Sequence, residues 1–299
     1  MTQSMQPGSV CFIGIGTMGR EMAVNLAKAG HRVAAFDVRR EAAGALAPFG
    51  IQAATSIASA SQGADAVITM LPDTPDVETV VYGDGGVLAN PPQGRLVIDM
   101  STIAPGAVRR MHCDLGKVGV AFIDAPVSGG PLGAKNRTLS IMAGGDGAAF
   151  EKARPYLAAM GSTITHVGES GAGQTVKLCN QLICGINIQA ICEALALGRA
   201  AGIDLAQLRS VLMGGSAASW MLDKLGEQMI EGDPAPGFRI DLMLKDLRLV
   251  AQQAQETNVP LPATAFVTTQ YLEARAHGEG GNGNHALFRV YDRMTAQVR

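Results

Sequence analysis

Lys177 is the residue whose type and surroundings point most directly to chemistry. It stands one turn into an apolar stretch that begins at Gly171 and runs to about Ala200. A lysine among apolar side chains is costly to bury unless it is paired or used. Burial also lowers the pKa of a lysine, which a general acid or base working near neutral pH requires. We therefore predict that Lys177 is either an ion-paired lysine or a proton carrier.

A glycine-rich turn near the amino terminus has the spacing of a dinucleotide-binding loop. The turn consists of Gly14, Ile15, Gly16, Thr17, Met18 and Gly19. Its first glycine permits a tight turn, its second lets a pyrophosphate approach the backbone, and its third lets a helix pack on the preceding strand. Because such a motif alone is common, the prediction depends on the strand before the turn and the helix after it.

An acidic residue follows the glycine turn at the expected distance. Asp37 ends the next predicted strand, and an acid there accepts the hydroxyls of the adenosine ribose and repels a 2′-phosphate. Arg39 and Arg40 come just after it. They either neutralise a 2′-phosphate or are solvated residues that begin the next helix. We predict NAD as the cofactor, with NADP as the alternative.

Three further segments carry polar residues and glycines at positions where a ligand could bind. Residues 99–105 (Asp-Met-Ser-Thr-Ile-Ala-Pro) and 124–130 (Asp-Ala-Pro-Val-Ser-Gly-Gly) each begin where a predicted strand ends. Residues 171–181 open the stretch that contains Lys177. Ligands of open α/β sheets bind beyond the carboxyl ends of the strands, where the first two segments lie.

The elements that must position these residues alternate in the first half of the chain. Short β-branched runs predict strands, and helical runs such as 17–29, 39–47 and 148–160 lie between them. The alternation predicts a Rossmann-type, doubly wound parallel sheet. The predicted strands are Val10–Ile13, Arg32–Phe36, Ala66–Met70, Leu96–Asp99 and Ala121–Asp124, with Leu139–Ala143 and Thr163–Val167 finishing the sheet.

Beyond Gly168 the strand patterns disappear and helical periodicity continues to the carboxyl terminus. A long helix is predicted over 172–200, with Gly202 as its stop, followed by helices over 205–213, 221–230, 242–257 and 263–276. We predict a dinucleotide-binding domain over residues 1–168 and an all-α domain for substrate and oligomer contacts over 169–299. The long interdomain helix joins them.

Composition argues against several classes of protein. The net charge is −2 without a basic block, so a nucleic-acid partner is not predicted. Polar residues interrupt 172–200 too often for a membrane span, so a buried helix is expected. Five cysteines without close pairs, and no secretory signal, indicate the cytoplasm. His277 and His285 have no carboxylate or cysteine at ligand spacing, so no metal site is predicted.

Together these motifs resemble those of the β-hydroxyacid dehydrogenase family. The resemblance covers residues 10–287 and is carried by the four ordered motifs described above. Residues 99–105, 177–181 and 236–242 look most like the tartronate semialdehyde branch. The resemblance implies hydride transfer between a nicotinamide cofactor and a small β-hydroxy acid or its semialdehyde, such as tartronate semialdehyde or 3-hydroxyisobutyrate.

The resemblance also implies roles for individual residues. Lys177 would be the general acid or base, with Asn180 or Gln181 as a catalytic amide. Ser128, Gly129 and Gly130 would hold the substrate carboxylate, because a carboxylate accepts several donors at once. The remaining implied residues are Leu71, Pro72, Thr102 and Lys245 at the cofactor and Phe238 at the substrate pocket.

Two departures from the family pattern leave questions open. Many relatives carry an asparagine four residues after the lysine, where this chain has Gln181, whereas Asn180 is three residues on. The carboxyl-terminal loop around His285 also lacks the aspartate that relatives often have. Substrate contacts of that loop are therefore not transferred to this chain.

Other functions remain as alternatives. A reductase of glyoxylate or succinic semialdehyde differs only in the side chains that line the pocket. A non-catalytic dinucleotide-binding module is an alternative of a different class, and the presence of both Lys177 and the Ser128 loop argues against it. The apolar helical domain favours a homodimer or homotetramer.

Overall fold

The structure, a computed structural model, describes residues 8–296. It divides into two compact units between Lys177 and Leu178. This division lies inside the long helix. The predicted domain boundary at residue 168 comes instead from the change of sequence pattern. The domain limits therefore stay a prediction.

The first unit is built on one nine-stranded sheet. Its strand order is β3-β2-β1-β4-β5-β6-β8-β7, with β9 paired to β8. The strands are β1 Ser9–Ile13, β2 Arg32–Phe36, β3 Gln52–Ala53, β4 Ala66–Thr69, β5 Leu96–Asp99, β6 Ala121–Asp124, β7 Val127–Ser128, β8 Leu139–Gly144 and β9 Gly161–Gly168. The order reverses direction at β1, so the glycine turn that follows β1 lies at the switch point where dinucleotides bind.

Strands β1 to β6 pair in parallel, as the alternating pattern predicts. The two finishing strands differ: β8 runs antiparallel to β6 and β7, and β9 runs parallel to β8. The short strand β7 was not predicted, since two residues give no alternation to recognise. The Rossmann-type fold class is confirmed, with an antiparallel extension at one edge.

Helices cover the sheet of the first unit. They are α1 Thr17–Lys28, α2 Arg40–Gly44, α3 Ile57–Ser61, α4 Thr74–Tyr82, α5 Pro105–Lys117, α6 Gly130–Asn136 and α7 Gly147–Ala158. Every residue of β4 and β5 is buried, which requires cover on both faces of the sheet. Helices α4 and α5 were not predicted, although Asp73 and Asp76 form a capping box on α4 and Pro105 opens α5.

One helix, α8 (Ala172–Ala200), begins in the first unit and continues in the second. It is long and apolar enough to cross a membrane by length and composition alone. Half of its most apolar window is buried inside the structure. Gly202 follows with a φ of +76°, a conformation that favours glycine at a helix end.

In its described part, the second unit consists of helices joined by loops. Helices α9 Leu205–Met213, α10 Trp220–Glu231, α11 Ile240–Thr257, α12 Pro262–Ala276 and α13 Phe288–Ala296 follow α8. Apolar side chains of α8, α11 and α12, among them Ile188, Leu247 and Tyr271, form its core. The helical carboxyl-terminal domain is thus confirmed, and it contains a further helix, α13, that the sequence pattern does not predict.

Candidate active site

The glycine turn between β1 and α1 has the geometry that a dinucleotide requires. Gly14 has a φ of +97°, and a Cβ there would lie 2.3 Å from the Met70 carbonyl oxygen. A Cβ on Gly19 would lie 1.9 Å from the Gly14 carbonyl oxygen. A Cβ on Gly16, by contrast, would meet nothing within 4 Å. Gly14 and Gly19 thus permit close packing, and Gly16 leaves open space where a pyrophosphate can approach the backbone.

Asp37 holds this turn from the end of β2. One carboxylate oxygen accepts a hydrogen bond from the Ile15 backbone N–H at 2.7 Å. The other accepts from the Arg39 backbone N–H at 2.8 Å and lies 3.4 Å from Arg39 Nε. Contact with an adenosine ribose stays a prediction for Asp37, and Arg39 is placed beside the same site.

The segments after β4 and β5 are joined by hydrogen bonds. The Leu71 backbone N–H donates to Ser101 Oγ at 2.9 Å. Beneath them, Thr69 Oγ1 donates to Asp99 Oδ1 at 2.7 Å. Ser101, which was given no role from the sequence, therefore connects the predicted cofactor residues after β4 to the segment that contains the half-buried Thr102.

The Ser-Gly-Gly segment follows β6 and makes a sharp turn. Ser128 is half-buried at the end of β7, and α6 begins at Gly130. Gly129 and Gly130 have φ values of +131° and +62°, which favour glycine at both positions. Carboxylate binding by Ser128 and the backbone of this turn stays a prediction.

Asp124, at the end of β6, holds the start of α8. Its two carboxylate oxygens accept hydrogen bonds from the backbone N–H groups of Gly171 and Gln174, each at 2.9 Å. A Cβ on Gly144 or Gly173 would lie 2.7 or 2.8 Å from these oxygens, so glycine leaves room for the carboxylate. Gly171 has no side chain to cap the helix, and Asp124 supplies the acceptors instead.

Burial raises the pKa of Asp124 to about 6, and the charge of nearby Asp99 adds to this rise. The hydrogen bonds from Gly171 and Gln174 act in the opposite direction. The two aspartates are paired in register on neighbouring strands, and both are fully buried. Each of these aspartates ends a predicted strand, but the sequence does not indicate that they lie opposite each other. The register of the two strands brings them together.

Asp124 is expected to make the protein less stable as the pH rises from about 4 to about 6. In this window the folded state keeps the proton on Asp124 while the unfolded state has released it, so the free energy of unfolding falls as pH rises. The free energy of unfolding falls by about 3 kcal/mol in all. The whole loss is present above the pKa of Asp124 in the folded state, and none of it is present below the pKa of Asp124 in the unfolded state. Urea unfolding of the wild type and Asp124→Asn across this range measures it. A difference between the two proteins that does not vary with pH would contradict the expectation.

Gln174 lies fully buried in the first turn of α8. Its side-chain oxygen accepts a hydrogen bond from the Ile103 backbone N–H at 3.1 Å, and its Nε2 donates to the Ser101 carbonyl at 2.8 Å. Lys177 follows three residues later and is also buried, with 7% of its surface exposed. The structure therefore confirms the burial of Lys177 that its apolar neighbours predict; its catalytic role stays a prediction.

The remaining predicted residues lie in the second unit. Asn180 Nδ2 donates to Gln181 Oε1 at 2.8 Å, and Gln181 Nε2 donates to Asp246 Oδ2 at 2.6 Å. Lys245 Nζ lies 2.7 Å from the other Asp246 oxygen. Asn180 and Gln181 are thus a bonded pair rather than two separate amides. Buried Asp246, which was given no role from the sequence, orients Gln181 and Lys245. Phe238 is half-buried against the core of this unit.

Comparison with known proteins extends over both units. The family model for the NAD binding domain of 6-phosphogluconate dehydrogenase matches residues 9–168. The model for the NAD-binding region of NADP-dependent 3-hydroxyisobutyrate dehydrogenase matches residues 171–291. The 2-hydroxy-3-oxopropionate reductase of Escherichia coli is 39% identical, over 95% of this chain and 97% of that protein.

The chain belongs to the β-hydroxyacid dehydrogenase family.

Two further relatives agree with this assignment. The 2-(hydroxymethyl)glutarate dehydrogenase of Eubacterium barkeri is 39% identical over 95% of both chains. A 3-hydroxyisobutyrate dehydrogenase structure from Mycobacterium tuberculosis, described with L-serine, has a TM-score of 0.87 at 33% identity and covers 95% of this chain and 99% of that one. The protein is accordingly an NAD(P)-dependent hydroxyacid dehydrogenase, and small hydroxy acids fit as its substrates.

Proposed function

We propose that this dehydrogenase interconverts a small β-hydroxy acid and its semialdehyde, with tartronate semialdehyde as the preferred substrate and Lys177 as the proton carrier. The observation that carries the proposal is the burial of Lys177 in α8, whose start is tied to the segments at the carboxyl ends of β5 and β6. A lysine amine held beside a bound substrate can act as a general acid or base.

The residues of the chain divide the work of the reaction. Gly14, Gly16 and Gly19 would hold the dinucleotide, and the nicotinamide supplies or accepts the hydride when it is bound. Lys177 donates a proton to the carbonyl oxygen of the semialdehyde, or takes it from the hydroxyl in the reverse direction. Ser128 and the backbone of 129–130 bind the substrate carboxylate and so fix the orientation of the carbonyl.

Further residues are proposed to take part in binding or catalysis. The backbone at Ile15, Thr17 and Met18 completes the phosphate loop. Leu71, Pro72 and Thr102 border the cofactor. In the second unit, the Asn180–Gln181 pair, Lys245 and Phe238 complete the proposed set.

NAD is the proposed cofactor because Asp37 presents a carboxylate at the end of β2. That negative charge disfavours the 2′-phosphate of NADP, whereas the exposed guanidinium of Arg39 would favour it. The carboxylate is nearly buried and bound to the glycine turn, so it cannot swing away from a phosphate. We propose that its repulsion outweighs the screened attraction of Arg39.

A panel of substrates measured with NADH and NADPH tests these proposals. The highest kcat/KM is expected with tartronate semialdehyde and NADH, ahead of glyoxylate and succinic semialdehyde. An Arg39→Ala variant serves as the matched control and should lose activity with NADPH while keeping it with NADH. A strong preference for NADPH would contradict the argument from Asp37. Turnover of none of the semialdehydes or hydroxy acids would favour a non-catalytic binding module.

The chain is also proposed to act as a cytoplasmic homodimer or homotetramer. Large apolar side chains on the helices of the second unit are exposed, among them Ile183, Leu197 and Val211. Covering such side chains with a second copy would remove apolar surface from water. Light scattering of the purified protein measures the oligomer, and a monomer at micromolar concentration would contradict the proposal.

A further inference from the structure

Gln174 makes hydrogen bonds that a merely space-filling residue would not. Its side-chain amide both accepts from and donates to one short backbone segment, at Ile103 N and Ser101 O. Its own backbone N–H donates to Asp124. One buried residue thereby joins the first turn of α8 to the segment after β5 and to the end of β6.

The two side-chain hydrogen bonds of Gln174 fix both the position and the orientation of the first turn of α8. Because donor and acceptor lie at opposite corners of one planar amide, the first turn of α8 can neither slide nor rotate against residues 101–103 without breaking one bond. A broken bond would leave a buried backbone group unsatisfied, which is costly. The helix then carries this alignment to Lys177, since residues three apart lie on one face.

We propose that Gln174 is a positioning residue that sets where the Lys177 amine stands relative to residues 101–103 at the edge of the cofactor site. The inference rests on the proposed role of Lys177 as proton carrier. Asp124 contributes by holding the same turn through Gly171 and Gln174. Proton transfer depends steeply on geometry, so a displacement of about 1 Å is expected to lower kcat by up to about a hundredfold.

The test is a double-mutant cycle with the full-length protein. Gln174→Met keeps the size of the side chain and removes both hydrogen bonds. With Lys177 present, this change is expected to lower kcat about thirtyfold. In a Lys177→Ala background it should change the residual kcat less than about threefold, because the group that it positions is gone. Val176→Thr, at a more exposed position in the same helix, serves as control and should leave kcat unchanged.

A second variant keeps the proposal testable if Gln174→Met fails to fold. Gln174→Glu has the same shape, and its protonated form can still donate to Ser101 and accept from Ile103. The kcat ratio of this variant to the wild type should therefore rise as the pH falls from about 8 to about 6, since burial beside carboxylates favours the protonated acid. The ionisable groups around this turn are Asp99 at the end of β5, Asp124 at the end of β6, Arg109 on α5 and Lys177 on α8.

The outcomes separate this inference from the proposed function. The positioning role would be overturned if Gln174→Met lowered kcat equally with Lys177 present and in the Lys177→Ala background. It would also be overturned if Gln174→Met did not lower kcat when Lys177 is present. A kcat ratio for Gln174→Glu that is independent of pH would overturn it as well. If Lys177→Ala itself keeps the wild-type kcat, the proton carrier has been misassigned, whatever Gln174 does.

Discussion

Replacing Lys177 with alanine is expected to lower kcat about a thousandfold and to change the Kd for NADH less than about twofold. The substitution removes the proposed proton carrier, so the oxygen of the carbonyl must take its proton from water. Lys177 lies on α8, outside the glycine turn that is proposed to hold the dinucleotide, so the affinity for NADH should be kept. Steady-state kinetics and fluorescence titration with NADH measure the two effects.

The matched control is Lys117→Ala, which removes a lysine whose side chain is 74% exposed. It should leave both kcat and Kd unchanged, because surface charges contribute little. A Lys177→Ala variant that kept most of its kcat would show that the proton comes from another group. A variant that lost NADH affinity instead would place Lys177 in the cofactor site.

Gly14→Ala is expected to lower the free energy of unfolding by about 3 kcal/mol and to weaken NADH binding at least tenfold. The new Cβ would be placed on a residue with a φ of +97°, 2.3 Å from the Met70 carbonyl oxygen. Backbone atoms cannot give way as a flexible side chain can, so the turn itself must shift. Urea unfolding and titration with NADH give the two quantities.

Gly16→Ala is the control that separates stability from binding. Its φ is −81°, and its Cβ would meet nothing within 4 Å, so stability should change by less than about 1 kcal/mol. NADH binding should weaken nonetheless, because the methyl group fills the space proposed for the pyrophosphate. If Gly16→Ala binds NADH as well as the wild type does, the phosphates do not approach the chain at this point.

The fold class follows from sequence patterns because burial and periodicity are local properties. Strands β1, β2, β4, β5 and β6 were predicted almost to the residue, since each is a short β-branched or apolar run. The helix over 172–200 was predicted in full because its long apolar stretch ends at Gly202. Strands β3 and β7 have two residues each, too few for any pattern.

The hydrogen-bonded scaffold of the candidate site was harder to foresee. Asp124 and Gln174 are adjacent in space only because β6 ends beside the start of α8. Nothing in the spacing of 50 residues between them indicates this contact. The absence of a capping side chain at Gly171 was the one available signal, because a buried helix start needs an acceptor from somewhere. Asp246 likewise needed the packing of α11 to reveal its bond to Gln181.

The hydrogen bonds of Asp37 have a consequence for changing the cofactor of this enzyme. The residue whose charge is proposed to select NAD also anchors the Ile15 N–H of the phosphate loop. Replacing Asp37 to admit NADP would therefore loosen the loop that both cofactors need. A redesign is better begun at Val38, which is 89% exposed. Selectivity and loop rigidity can then be varied separately, although the wild-type chain combines them in one carboxylate.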